Sequence, residues 1–160
     1  MKQLSTYVSK LLEMFVVAIL ATMSCLIFVN VVLRYGFNSS INVTEEVSRY
    51  LFVWLTFLGA ILAFNENQHV NVTILTSRMS PKKRDLLRLF TDGLILFCCG
   101  LIIKGSWVQF QLNLNNLSPI SEIPTGITYL ASIIAGVFIG LLVIVRLIST
   151  IHILQKGESQ

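Results

Sequence analysis

Four stretches of the 160-residue chain are predominantly apolar over about the thickness of a bilayer, and short polar intervals separate them. The first, Met14 to Leu33, is 20 residues long and is broken only by Thr22, Ser24 and Asn30. About 20 apolar residues cross the hydrocarbon core as a helix. The run is too long for the apolar region of a cleaved signal peptide, and Asn30 to Tyr35 offers no small-residue cleavage site. The second runs from Val47 to Phe64 and is uncharged after Arg49. Thr44 is placed to cap it, with Glu45 and Glu46 in the first turn, where the helix dipole favours acids. The third opens on Ser80-Pro81, a cap followed by proline at the first helical position. It carries Arg88, Asp92 and Lys104, so only Gly93 to Ile103 is uncharged. The fourth, Ile123 to Val145, has 23 uncharged residues with Pro124 near its start. With flanks, the predicted spans are 12–34, 46–64, 84–107 and 123–147.

The stretch Val108 to Asn115 alternates with period two, which alone would suggest a strand. A lone strand at a membrane edge leaves backbone groups unpaired, so the reading is the polar end of helix three. The loops leave no room for a soluble domain, and neither repeats nor low-complexity tracts occur. The fold class is therefore an all-α integral membrane protein, one domain of four transmembrane helices. Composition agrees: 54% of residues are hydrophobic and 12% charged, against about 25% charged in a soluble domain, and the mean hydropathy is +0.76.

Charge placement sets an orientation, because lysine and arginine concentrate in cytoplasmic segments flanking spans. Nine fall on one side: Lys2, Lys10, Arg78, Lys82, Lys83, Arg84, Arg88, Arg146 and Lys156. Arg34 and Arg49 fall on the other. Both termini are then cytoplasmic. Lys82, Lys83 and Arg84 sit at a helix N-terminus, where the dipole disfavours cations, so orientation or contact with anionic phospholipid explains them better than local helix energetics. The net charge of +4 does not indicate nucleic-acid binding, because no basic soluble module remains. Sequons at Asn38, Asn42, Asn71 and Asn116 are assigned no function.

Candidate chemistry is sparse. His69 and His152 lie outside the spans, which argues against haem ligation in the membrane. Cys98 and Cys99 point to different helix faces without a histidine nearby, and with Cys25 they read as small hydrophobes. No nucleophile has a base beside it and no glycine-rich phosphate loop is present, so the expectation is no enzyme, no metal and no cofactor. Among ionisable groups in spans, Arg88 and Asp92 are four apart and can pair on one face. Lys104, beside Trp107 near the boundary, can snorkel or form a salt bridge. Arg34, Glu45, Glu46 and Arg49 gather two cations and two acids at the ends of spans one and two, as a hairpin clasp or a docking surface. Gly59 with Ala60 and Ala63, and Gly136 with Gly140, permit close helix approach, internally or to a partner.

Asn30-Val-Val-Leu-Arg34-Tyr35, Thr44-Glu45-Glu46-Val-Ser-Arg49-Tyr-Leu-Phe-Val-Trp54-Leu-Thr-Phe-Leu-Gly59-Ala60, His69-Val-Asn-Val72, and Ser118-Pro119 with Glu122-Ile-Pro124 together resemble the small membrane subunit of tripartite ATP-independent periplasmic (TRAP) transporters, over nearly the whole chain. Val43 stands where that family often has an aromatic residue, and Gln68 where it often has glycine. The resemblance implies a non-catalytic four-helix subunit of the bacterial inner membrane, bound laterally to a large multi-helix subunit that carries substrate and sodium. A soluble periplasmic binding protein would deliver an organic acid, a C4-dicarboxylate or a sugar acid such as sialic acid. Within that picture Arg34, Glu45, Glu46 and Arg49 are the clasp or docking candidates, and Trp54, Gly59 and Lys104 weaker interface candidates. A stand-alone four-helix transporter is the alternative from another class. Its proton coupling would need a carboxylate deep in span one, and Glu13 lies only at the entrance. The other alternative, a membrane anchor for a redox complex, lacks the histidines.

Overall fold

The computed structural model describes residues 2–39, 41–67 and 81–157. Four helices account for nearly all of them: α1 (Lys2–Gly36), α2 (Asn42–Asn67), α3 (Pro81–Asn113) and α4 (Ile127–Gly157). Each contains a segment long and apolar enough to cross a membrane: Ser9–Gly36, Asn42–Asn65, Leu86–Asn113 and Ile127–Ile151. The period-two stretch is the end of α3, as bilayer logic requires, and helix continues to Asn113.

Two helix starts differ from the sequence expectation. Helix α2 begins at Asn42, two residues before Thr44. The side chain of Asn30 is the reason: its Oδ1 accepts from the Ile41 N–H at 3.1 Å, satisfying a donor ahead of the first turn. Helix α4 begins at Ile127, later than residue 123. Residues 118–126 are taken up in closing the hairpin. Thr125 N–H donates to Asn116 O at 2.9 Å and Gly126 N–H to Asn113 O at 3.1 Å, so the end of α3 finds partners in the loop. Ser118 N–H donates to Ile123 O at 3.0 Å across the turn, and Glu122 takes a left-handed conformation with φ 54°. Glycine at 126 suits this close approach, because a Cβ there would lie 3.2 Å from backbone atoms of Asn113 and Phe110, tighter than an ordinary contact.

The extensively packed pairs are α1 with α2, α2 with α4, and α3 with α4. The helices therefore form an open row in the order α1, α2, α4, α3, and not a closed bundle. Its two ends are distinct: one carries the start of α1 and the end of α4, the other the end of α1, the start of α2 and the 114–126 hairpin. Polar contacts fix the register. Asn65 Nδ2 donates to Ser9 Oγ at 2.7 Å near the termini end of α1 and α2. Ser132 Oγ and Ser106 Oγ meet at 2.7 Å between α4 and α3.

The core follows from this order. Leu58 and Ile61 of α2 pack on Ala135 of α4, with Leu12, Val16 and Ile19 of α1 and Trp54 and Phe57 around them. Helix α4 is the most covered of the four spans and α1 the least. The flanking helices present large apolar side chains outward, among them Met14 and Phe28 on α1 and Phe90 and Phe97 on α3. In water this would be unstable, whereas lipid or a neighbouring membrane protein accepts such a surface.

Gly136 sets how closely α3 and α4 approach, since a Cβ there would meet Ile103 Cγ1 at 2.9 Å and Cys99 O at 3.7 Å. Gly140 faces Cys99 Cβ at 4.0 Å. That pair of glycines serves internal packing. Gly136→Leu is expected to lower the apparent Tm in detergent by several degrees, since overpacking costs about 1–3 kcal/mol. Gly100→Ala, at a site with nothing within 4 Å, should leave it unchanged or slightly higher. Thermal unfolding followed by size-exclusion fluorescence checks both.

Candidate functional site

A polar lock joins α3 and α4 toward the termini end. Asp92 is 1% exposed, and its carboxylate is bridged by Arg146, whose Nη2 reaches Oδ1 and whose Nε donates to Oδ2 at 3.0 Å. The Arg146 guanidinium also lies over the Phe64 ring of α2, 5.6 Å from its centroid, a cation–π distance. Spacing in the sequence offers Arg88 to Asp92. The cross-helix partner is Arg146, which from charge counting alone looked like a free flanking cation. Its charge is spent on Asp92, and the bias of lysine and arginine toward the termini end stands without it.

The second feature is an open groove of about 1010 Å³ at the hairpin end. It exists because α2 and α3 both pack on α4 but not extensively on each other. Helix α4 forms the floor with Thr128, Tyr129 and Ser132. One wall is α2, polar at Asn42, Glu45, Glu46 and Arg49 and apolar at Val53 and Phe57. The other is α3, with Leu101, Ile102, Gly105, Ser106 and Gln109. Ser118, Pro119 and Ile120 of the hairpin close the end.

Three of the four charged candidates line this groove, and they differ from one another. Glu46 is buried, and its Oε2 accepts from the Ser121 N–H at 2.8 Å. This bond pins the first turn of α2 to the α3–α4 hairpin across 75 residues of chain. Glu45 and Arg49 are exposed. Arg34 is exposed at the end of α1 and is not part of the groove. Among the described residues no ion pair joins any two of these four. Two hydroxyls, Ser48 Oγ and Ser121 Oγ, are buried without a hydrogen-bond partner.

The weaker candidates fall apart spatially. Trp54 packs against the internal core. Gly59 has open space where a side chain would be, so a neighbouring backbone can approach it. Lys104 is exposed on α3, and close by in sequence Trp107 stacks at a tilt on Phe110 with centroids 6.0 Å apart. Side chains of Lys82, Lys83 and Arg84 lie outside the described residues, as do His69, His152, Arg78 and Asn71. Cys98 is exposed while Cys99 is buried, the divergence expected of adjacent helical positions. Sequence reasoning missed Asn30, Ser121 and the Ser106–Ser132 contact as structural polar groups. Asn30 carried a signal, being the one amide in the first apolar run.

The model of the family described as tripartite ATP-independent periplasmic transporters, DctQ component, matches residues 23–152. The chain belongs to this family. A Haemophilus influenzae protein bearing the name of a TRAP transporter small permease is 58% identical over 158 residues, covering 99% of this chain and 98% of that one. The C4-dicarboxylate TRAP transporter small permease DctQ of Vibrio cholerae is 30% identical over 97 residues, 60% of this chain and 42% of the relative. The sialic acid TRAP transporter permease SiaT of H. influenzae is 28% identical over 97 residues, 61% of this chain but 16% of that much longer protein. A small-permease segment built into a longer permease shows that the small subunit pairs with the large one. This TRAP small permease is a multi-pass protein of the bacterial inner membrane and a transporter component, not an enzyme.

Asp92→Asn leaves Arg146 without its charge partner at membrane depth. The cost is expected at or below the lower end of the ~3–5 kcal/mol for breaking a buried pair, because the Arg146 side chain keeps 35% exposure. The double variant Asp92→Asn/Arg146→Gln should recover part of that loss. Apparent Tm values of the two singles and the double, combined in a cycle, measure the coupling.

Proposed function

We propose that this chain is the non-catalytic small subunit of a sodium-coupled, binding-protein-dependent transporter that imports an organic acid, and that it supports the large permease subunit laterally in the membrane with both termini cytoplasmic. The carrying observation is the open row itself. A pathway needs a group to carry the coupling ion, and a transporter of this size would place a carboxylate in its interior. Asp92 is the carboxylate most deeply buried among the described residues, and Arg146 holds it in an ion pair. The row has two free edges, α1 and α3, that carry exposed large apolar side chains, which suits an element that buttresses a neighbour.

The substrate class rests on the relatives. C4-dicarboxylate and sialic acid are both carboxylic acids carried by transporters whose permease resembles this chain. Recognition of the acid belongs to the large subunit and to a soluble periplasmic binding protein in this reading. Residues at the hairpin end, Arg34, Glu45 and Arg49, are the surface the chain offers on the periplasmic side. Lys82, Lys83 and Arg84 at the opposite end meet anionic phospholipid headgroups.

Pull-down of the tagged chain from native membranes in mild detergent should recover a large multi-helix permease in near-equal amount by mass spectrometry. A homo-oligomer without that partner would favour a stand-alone transporter and sink the reading. Purified chain alone in proteoliposomes should show no sodium-driven uptake of organic acids. Arg49→Glu should leave membrane insertion intact while lowering complex recovery or uptake, and normal values of both would count against its docking role.

A further inference from the structure

We propose that the groove between α2 and α3 is the seat of one membrane-embedded segment of the large permease subunit, and that a lysine or arginine of that segment meets Glu46 at the closed end. The inference deepens the subunit reading and rests on it. Its first support is Glu46. A carboxylate offers about four acceptor positions. Here one backbone N–H, that of Ser121, is in place, although the side chain is more than nine-tenths buried. Buried carboxylates persist when paired with a cation. Arg49, three residues on, is exposed and forms no ion pair with Glu46 among the described residues. The complement to this end of the groove is therefore a positive group brought from outside.

The shape says how that group arrives. Ser118, Pro119 and Ile120 roof the end, and Ser121 is bonded to Glu46 from the hairpin side. The length of the groove between α2 and α3 is the way in. A lysine or arginine can lay its aliphatic stem along Val53 and Phe57 and present only its head to the carboxylate. Gly105 and Ser106 keep the α3 wall low, and Gly105 has nothing within 4 Å of a would-be Cβ, so a second backbone can come close. A relative in which a segment like this one belongs to a much longer permease polypeptide supplies the neighbour.

The test uses the assembled transporter in native membranes. A photo-crosslinking residue at Ile102, on the exposed α3 wall, is activated and the adduct identified by mass spectrometry. The expected adduct is a peptide of the large permease with a lysine or arginine within one helical turn of the attachment point. Glu46→Gln, which keeps an acceptor for the Ser121 N–H, should reduce that adduct at least about fivefold, a loss of roughly 1 kcal/mol, relative to co-purified large subunit. Reversing the identified basic residue to glutamate together with Glu46→Lys should restore it in part. An Ile102 adduct with phospholipid, with the soluble binding protein or with a second copy of this chain would overturn the proposal even while the large subunit co-purifies. An adduct indifferent to Glu46→Gln would overturn the pairing. Absence of any large permease from the pull-down would overturn the proposal together with the reading beneath it.

Discussion

Asp92 is the group on which the arrangement of the helices turns. A carboxylate at membrane depth with 1% exposure is tolerable only when its charge is met, since lipid supplies no water and no donors. Arg146 meets it from α4, and the same guanidinium covers Phe64 of α2. One side chain thus engages three helices. It sets the register of α3 against α4 at the termini end, as Ser106 and Ser132 do nearer the hairpin. Between these polar points, glycine at 136 lets the backbones close on Ile103. Burial of apolar surface does not distinguish one register from another when the surrounding lipid is as apolar as the side chains, so polar pairs and steric fit carry the specificity.

An open row follows from placing α4 in the middle. With α2 and α3 both leaning on it, α1 is left at one edge and α3 at the other, and both show aromatic and aliphatic side chains outward. Among the described residues α2 and α3 do not pack extensively on each other, so the layer stays open between them. It offers exposed apolar side chains along its edge helices and a groove, which are features a helical neighbour can use. Membership in the TRAP small permease family, and the existence of a relative in which a similar segment is part of a longer permease, give that neighbour an identity. Packing and function are linked here through what the row leaves uncovered.

The hairpin end is where the chain's second constraint acts. The last carbonyl of α3, Asn113 O, needs a donor, and the Gly126 N–H delivers it while the Thr125 N–H meets Asn116 O in the loop, at the cost of delaying the start of α4. The turn this creates carries Ser121 to Glu46, so loop closure and the floor, wall and roof of the groove are one event. Glu122 in a left-handed conformation is a local strain that the surrounding hydrogen bonds hold in place.

Four spans, the helical nature of residues 108–113, the start of α3 at Pro81 and the charge bias were all legible from residue order, because each depends on local composition and on the rule that backbone groups in lipid must be satisfied within a segment. The family was legible for a different reason, in the run from Thr44 to Ala60 and its companions. Partnerships across helices were not. Arg88 is four residues from Asp92 and Arg146 is 54, and nothing in spacing along one helix ranks the distant cation. Glu45 and Glu46 are adjacent and look alike as text, yet one is exposed and the other buried under a hairpin 75 residues away. The same holds for glycine: 136 touches a neighbour and 59 faces open space. Residue order could state how many apolar spans there are, since hydrophobicity is a property of each segment alone, but not where α2 and α4 begin. Which faces meet, which charges pair and where a groove opens depend on the order of helices in the row, and that order is a property of all four at once.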